Sequence, residues 1–156
     1  MKIRAAAAAD WDQMSWLLTA AQLPVEDLQP DELAGFLVAF RAIGDREEIV
    51  GLIGLQRFAE IGLLRSLVVA ESMRGSGLGT RLLRALESAA AAFGIRELWL
   101  LTNDAQAYFE RLAYEIRLRE DAPAPIRETR QFGALCPATA TLMSRELLSE
   151  SVHYPG

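Results

Sequence analysis

The residues whose types and spacing most directly suggest chemistry are Met73-Arg74-Gly75-Ser76-Gly77-Leu78-Gly79. They follow the apolar run Leu63-Leu64-Arg65-Ser66-Leu67-Val68-Val69 and precede a segment with leucines at helical spacing. The N–H groups that start a helix lack intrahelical acceptors and lie at the positive end of its dipole. Glycines let an anion approach those groups with no Cβ in the way. Arg74 adds a forked cation, so a pyrophosphate is the expected guest of this loop. It is not a Walker A loop, because no Gly-Lys-Ser/Thr follows. Nor is it the dinucleotide fingerprint, since the glycines fall at 75, 77 and 79. A plain strand-to-helix turn is the competing reading.

Other side chains carry weaker signals. Arg65 is a charge inside an apolar strand, and a buried charge needs a partner. That partner is either Glu60 or another acid of the chain, or an acidic group of a substrate. Arg127 and Arg130 are three residues apart and share a helix face, which either meets solvent or joins Arg65 in a clamp for an anion. Asp104 has the position of a helix cap. Cys136 is the single cysteine and reads as a small buried hydrophobe or a pocket-lining residue. With one cysteine and one histidine, His153, neither a disulfide nor a Cys/His metal site is expected.

The elements that must position these groups follow from periodicity. Lys2 to Ala5 reads as a first strand. Asp10-Trp11-Asp12-Gln13 has capping-box spacing, with Asp10 as N-cap and a helix running to about Gln22. Pro24 and Pro30 bracket a second, broken helical stretch, with Asp31 as a cap. Phe36 to Ile43 and Ile49 to Phe58 read as strands joined at Gly44-Asp45. The run ending at Val69 reads as a central strand, apolar on both faces apart from Arg65 and Ser66. A long helix carries Leu78, Leu82, Leu83, Leu86 and Ala90 and stops at Gly94. Strands are expected at Arg96–Thr102, Tyr114–Arg119 and Thr139–Arg145, with helices at Asp104–Leu112 and Pro125–Leu135. The expected architecture is α/β, a mixed sheet of six to seven strands with helices on both faces. It forms one domain over residues 1–156, of which 150–156 are a loose tail.

The chain has 156 residues, 51% hydrophobic and 24% charged, and a formal net charge of −5. This balance argues against disorder and against a general nucleic-acid binder. The apolar start after Met1-Lys2-Ile3-Arg4 is cut short by Asp10 and Asp12, and no 18-residue apolar run exists. A cytoplasmic protein without membrane or nucleic-acid partners is expected.

Arg74-x-x-Gly77-x-Gly79 after Leu67-Val68-Val69-Ala70 resembles the acetyl-CoA-binding motif of the GNAT N-acetyltransferase superfamily. The element order resembles that superfamily over essentially the whole chain. More narrowly, Leu64 to Val69, Phe109 to Tyr114 and Ile126 to Ala140 are similar to GNAT proteins associated with arsenic resistance. The layout is also similar to N-acetylglutamate-synthase-type amino-acid acetyltransferases.

The resemblance implies direct attack of an amine on the acetyl thioester. Acetyl-CoA is then the co-substrate, and no metal takes part. It places pantetheine and oxyanion contacts on the backbone at Leu67, Val68 and Val69. It places pyrophosphate contacts on Arg74, Gly75, Ser76, Gly77, Leu78, Gly79 and Thr80. Asn103 is implied as a contact to the CoA arm, with a helix cap as its competing role. Glu60 is implied as a base working through water. The usual tyrosine acid falls here on Phe109, because Ala113-Tyr114 occupies the place of a Gly-Phe or Gly-Tyr pair. Tyr108 is then the candidate acid, although its side chain is turned about 100° round the helix. Arg65, Arg127 and Arg130 are implied to bind a small anionic amino compound, an arsenic- or phosphorus-containing analogue or glutamate itself. A homodimer is compatible with the resemblance. A degenerate acyl-CoA sensor is the contrasting class, kept open by Phe109.

Overall fold

A computed structural model describes residues 1–23, 33–129, 132 and 140–147. Its strands are β1 (Lys2–Ala5), β2 (Phe36–Ile43), β3 (Arg46–Phe58), β4 (Ile61–Val69), β5 (Glu97–Thr102), β6 (Glu115–Arg117) and β7 (Thr141–Glu146). Its α-helices are α1 (Trp11–Ala20), α2 (Leu78–Ala92), α3 (Gln106–Arg111) and α4 (Ala124–Arg127). The strands form one mixed sheet of seven in the order β1-β2-β3-β4-β5-β7-β6. The chain divides into two compact units, Met1–Leu55 with Arg65–Ser88 and Gln56–Leu64 with Ala89–Gly156. Among the described residues no helix is long and apolar enough to cross a membrane.

In the first unit, Met14, Leu17 and Leu18 of α1 pack with Phe36 and Val38 of β2, Ile49 and Leu52 of β3, and Val68. Spacing of three and four within α1 puts its apolar residues on one stripe. The strand residues would not share a face by simple alternation, because Ile49 and Leu52 are an odd number apart. A bulge resolves this. Ala39 pairs with Gly51 and Phe40 with Ile49, which leaves Val50 without a partner and inverts the alternation beyond it. At Gly51 a Cβ would lie 2.9 Å from the Leu82 side chain, so the first turns of α2 approach β3 closely there.

The expected capping box is not formed. Asp10 is the N-cap residue of α1 but makes no side-chain cap bond. Its carboxylate instead accepts from Arg4 at 2.7 and 3.0 Å and from the Ala7 N–H at 2.8 Å. Gln13 likewise looks away from the helix start, its Oε1 accepting the Ile49 N–H at 2.9 Å. A tertiary ion pair and a strand amide have outcompeted the local bonds.

In the second unit, β5 and β7 form a six-pair antiparallel ladder, and β4 and β5 pair in parallel at Ile61↔Glu97, Gly62↔Leu98 and Leu63↔Trp99. Leu63, Trp99, Ala122, Ile126 and Leu142 make its core. The end of α2 closes as a Schellman motif: Gly94 adopts φ 89° and the Ile95 N–H reaches the Ala90 carbonyl at 3.0 Å. Of the helix expected over Pro125–Leu135, α4 ends at Arg127 with Glu128 as its C-cap, while residues 130, 131 and 133–135 lie outside the described residues. The Pro24–Pro30 stretch, Asp31, Cys136, His153 and the 150–156 tail lie outside the described residues.

Candidate functional site

The expected anion loop begins where β4 is tied off. The Ala70 N–H donates to the carbonyl of the bulged Val50 at 2.8 Å. A single turn over Glu71–Met73 follows. Gly75 and Gly77 adopt φ 81° and 84°, and no atom lies within 4 Å of a Cβ built on either. Backbone conformation, not protein crowding, therefore demands glycine, and the loop surface is left open to a ligand. Arg74 through Gly77 are exposed while Leu78 plugs the core. Ser76 Oγ donates to the Met73 carbonyl and accepts the Leu78 N–H at 3.3 Å, which fixes the entry to α2. Gly79 and Thr80 complete the first turn, half-buried. The helix-start amides, two glycines and an exposed arginine can together hold a doubly charged anion.

Upstream in β4, Ser66 takes φ 62°, an unusual conformation for a strand residue that is not glycine. Arg65 is only 2% exposed, and its Nε donates to Ser66 Oγ at 2.9 Å. Val68 points into the core, whereas Leu67 and Val69 are half-buried. Beside this strand end lies a cleft of about 530 Å³, walled by α1, the start of β3 and the segment after Val68. Its floor is apolar, with Leu17, Ile49 and Val68 among its residues, and Trp16, Asp12, Glu48, Glu71 and Arg74 stand around it. No sequence signal selected Trp16, Asp12, Glu48 or Glu71, because the cleft is assembled from three distant segments. Trp16 did fall off the apolar stripe of α1, two residues and about 200° from Met14.

The remaining candidates belong to the second unit. Glu60 is exposed in the turn before β4, its carboxylate 3.6 Å from Arg96, while its carbonyl accepts the Arg96 N–H at 2.7 Å. Asn103 and Asp104 are exposed after β5. Neither caps α3, whose N-cap is Ala105 with no side-chain cap bond; Thr102 Oγ1 accepts the Ala105 N–H just before it at 3.0 Å. Tyr108 is half-buried, its ring edge-on to Phe109 at 5.2 Å. Phe109 is buried between Tyr108 and Tyr114, the latter at 5.7 Å. Arg127 is exposed on α4, and Arg130 lies outside the described residues. Leu67 to Thr80 and Arg65 are thus gathered in one unit, and Glu60, Asn103, Tyr108 and Arg127 in the other. Among the described residues no group of three or more His, Cys, Asp or Glu could hold a metal ion.

Comparison with known proteins gives a consistent result. The sequence model of the acetyltransferase (GNAT) family matches residues 5–114. A mouse protein, N-alpha-acetyltransferase 80, is 41% identical over 54 residues, which is 35% of this chain and 17% of that protein. N-acetylglutamate synthase from Neisseria gonorrhoeae, solved with coenzyme A and N-acetyl-glutamate, superposes with TM-score 0.80 at 19% identity. That match covers 94% of this chain and 35% of the synthase. A Mycobacterium tuberculosis protein solved with CoA and NLQ gives TM-score 0.78 at 18% identity, covering 95% of this chain and all of its own, 100%. The chain therefore spans about a sixth of the mouse relative and about a third of the synthase.

Proposed function

Because the chain belongs to the GNAT acetyltransferase family, we propose that it moves the acetyl group of acetyl-CoA to the primary amine of a small amino compound. The observation that carries this reading is the loop after β4, where Arg74 and two positive-φ glycines open the first turn of α2 to a pyrophosphate. Acetyl-CoA supplies the activated acetyl group, and the remaining tasks fall to the chain. The backbone at Leu67, Val68 and Val69 aligns the thioester and polarises its carbonyl. Glu60 takes the ammonium proton through water, so that a free amine attacks; the C–N bond forms and the C–S bond breaks. Asn103 steadies the CoA arm, and Tyr108 is the nearest phenol in sequence to the usual acid position. A thiol leaves readily as thiolate, its ordinary pKa being about 8.5, so loss of the tyrosine at Phe109 does not stop the reaction.

An anionic acceptor, glutamate or an arsenic- or phosphorus-containing analogue, is the reading that Arg65 supports, with Arg127 and Arg130 as further cations. Thiol release from acetyl-CoA tests the whole scheme, measured with glutamate, other amino acids, phosphinic and arsenical analogues, polyamines and a basic peptide. A clear rate with one class identifies the acceptor. Saturable CoA binding with no rate for any amine would instead make the chain an acyl-CoA sensor.

A further inference from the structure

The sheet ends on β6, the three residues Glu115-Ile116-Arg117, which pair on one side only, with β7. Two hydrogen bonds fix which way its main chain points. The Glu97 N–H donates to the Glu60 carbonyl at 3.3 Å, so the main chain of Glu97 faces β4 and that of Leu98 faces β7. The Leu147 N–H donates to the Arg96 carbonyl at 2.7 Å, one step beyond the Glu97↔Glu146 pair. By alternation Arg145, Met143 and Thr141 face β5, while Ser144 and Leu142 face β6. Their partners across the ladder are Glu115 and Arg117. The N–H and C=O of Ile116 therefore point out of the open edge, and no described residue bonds them. Ile116 is 49% exposed, and Leu118, still extended at φ −75° and ψ 147°, is 61% exposed on the same face. Glu115 and Arg117 stand exposed on the other face. Arg117 Nε donates to Ser144 Oγ at 2.8 Å, but its Nη2 lies 3.9 Å from the Glu115 carboxylate, too far for a hydrogen bond.

We propose that the β6 edge pairs with the same edge of a second copy of this chain, antiparallel about a two-fold axis through Ile116. The sequence Glu-Ile-Arg is its own complement in that arrangement. Ile116 meets its counterpart and exchanges both main-chain hydrogen bonds with it. Glu115 of each copy stands opposite Arg117 of the other, and Leu118 of each lies diagonal to Ile116 of the other. The register is specified by charge: a slip of two residues sets Glu115 against Glu115 in one direction and Arg117 against Arg117 in the other. Pairing on a two-fold axis uses up the edge, so the assembly closes as a dimer and not as a filament. With three strand residues a side the interface is small, and the dimer is reversible.

Sedimentation equilibrium of the full chain, from micromolar to millimolar concentration, should show a monomer–dimer equilibrium. Arg117→Glu places two like-charge pairs across the axis and should weaken dimerisation by about tenfold or more. The exchange Glu115→Arg/Arg117→Glu restores both pairs and should return the dissociation constant to within about threefold of the parent. A cross-link locates the axis. In a Cys136→Ser background, which removes the chain's single cysteine, Ile116→Cys should form a disulfide-linked dimer under mild oxidation. The facing Cα atoms of such a pair lie about 5.5 Å apart, within reach of a disulfide. Trp16→Cys, at an exposed position of the other unit, should cross-link at least about tenfold more slowly. A chain that stays monomeric throughout, an exchange variant no tighter than Arg117→Glu, or equal cross-linking at the two cysteines overturns the assignment. Should Arg117→Glu melt early through loss of its Ser144 bond, the two cross-linking rates decide alone.

Discussion

The N–H of Tyr114 donates to the carbonyl of Phe109 at 3.0 Å, closing the end of α3 around Ala113 at φ 78°. The Ala113 N–H meanwhile reaches the Glu110 carbonyl at 3.1 Å. This is the same Schellman closure that Gly94 makes after α2, with an alanine where glycine is the unstrained choice. The left-handed conformation costs an L-residue about 1–2 kcal/mol, partly offset by the extra freedom glycine has when unfolded. Ala113→Gly should therefore stabilise the protein by about 0.5–1 kcal/mol, raising Tm by a few degrees in a thermal melt. An unchanged or lower Tm would show that the strain is relieved elsewhere.

Gly77 and Gly94 form an internal control, since both sit at positive φ with open space where a Cβ would go. Alanine at either should cost about 0.5–1 kcal/mol in a denaturant titration, the mirror of the gain at Ala113. Only Gly77→Ala should also weaken CoA binding, by about tenfold or more, because only that residue lies at the anion-facing turn. Equal loss of CoA affinity in Gly94→Ala would detach the loop from cofactor binding.

Asp10 links stability to pH. The Arg4 guanidinium holds its carboxyl below the ordinary range, burial opposes this, and the Ala7 amide adds to the lowering. A depressed folded pKa means that the stabilisation is fully present above the unfolded value, about 3.9 for Asp, and is lost as pH falls through the folded value. Asp10→Asn should cost about 1–3 kcal/mol at neutral pH and progressively less below about pH 4. Urea midpoints at several pH values check this; a pH-independent difference would mean that packing, and not charge, holds Arg4.

Two substitutions separate the proton steps of the proposed transfer. Glu60→Gln should lower kcat by about tenfold or more and flatten the rise of rate with pH, as expected for a base acting through water. Tyr108→Phe should change kcat by less than about tenfold, because a thiolate leaves without an acid. A drop of a hundredfold in the second variant would make Tyr108 the acid despite its offset from the Phe109 position.

The strands, the long helix and the glycine loop were legible in the sequence because each is a local pattern. Alternation in β2, the leucine stripe of α2 and the stop at Gly94 lie within one element and depend on little outside it. The loop at Arg74–Gly79 was legible for the same reason, its conformational demands being met by its own glycines. What failed or stayed hidden depended on partners outside the local pattern. Asp10 and Gln13 had the right spacing for a cap, yet Arg4, six residues before Asp10, and the Ile49 amide, 36 residues beyond Gln13, outcompeted it. The bulge at Val50 shifts the alternation of β3 by one residue and so decides which of its side chains meet α1. The cleft needs residues near 12–21, 48–50 and 68–74 to converge, and no spacing within any one of them records that meeting. Periodicity and the glycine spacing determined which elements form and where the loop proposed to hold a phosphate lies. Register and packing decided which charges face one another, because a side chain's neighbours across a sheet are set by pairing and not by position in sequence.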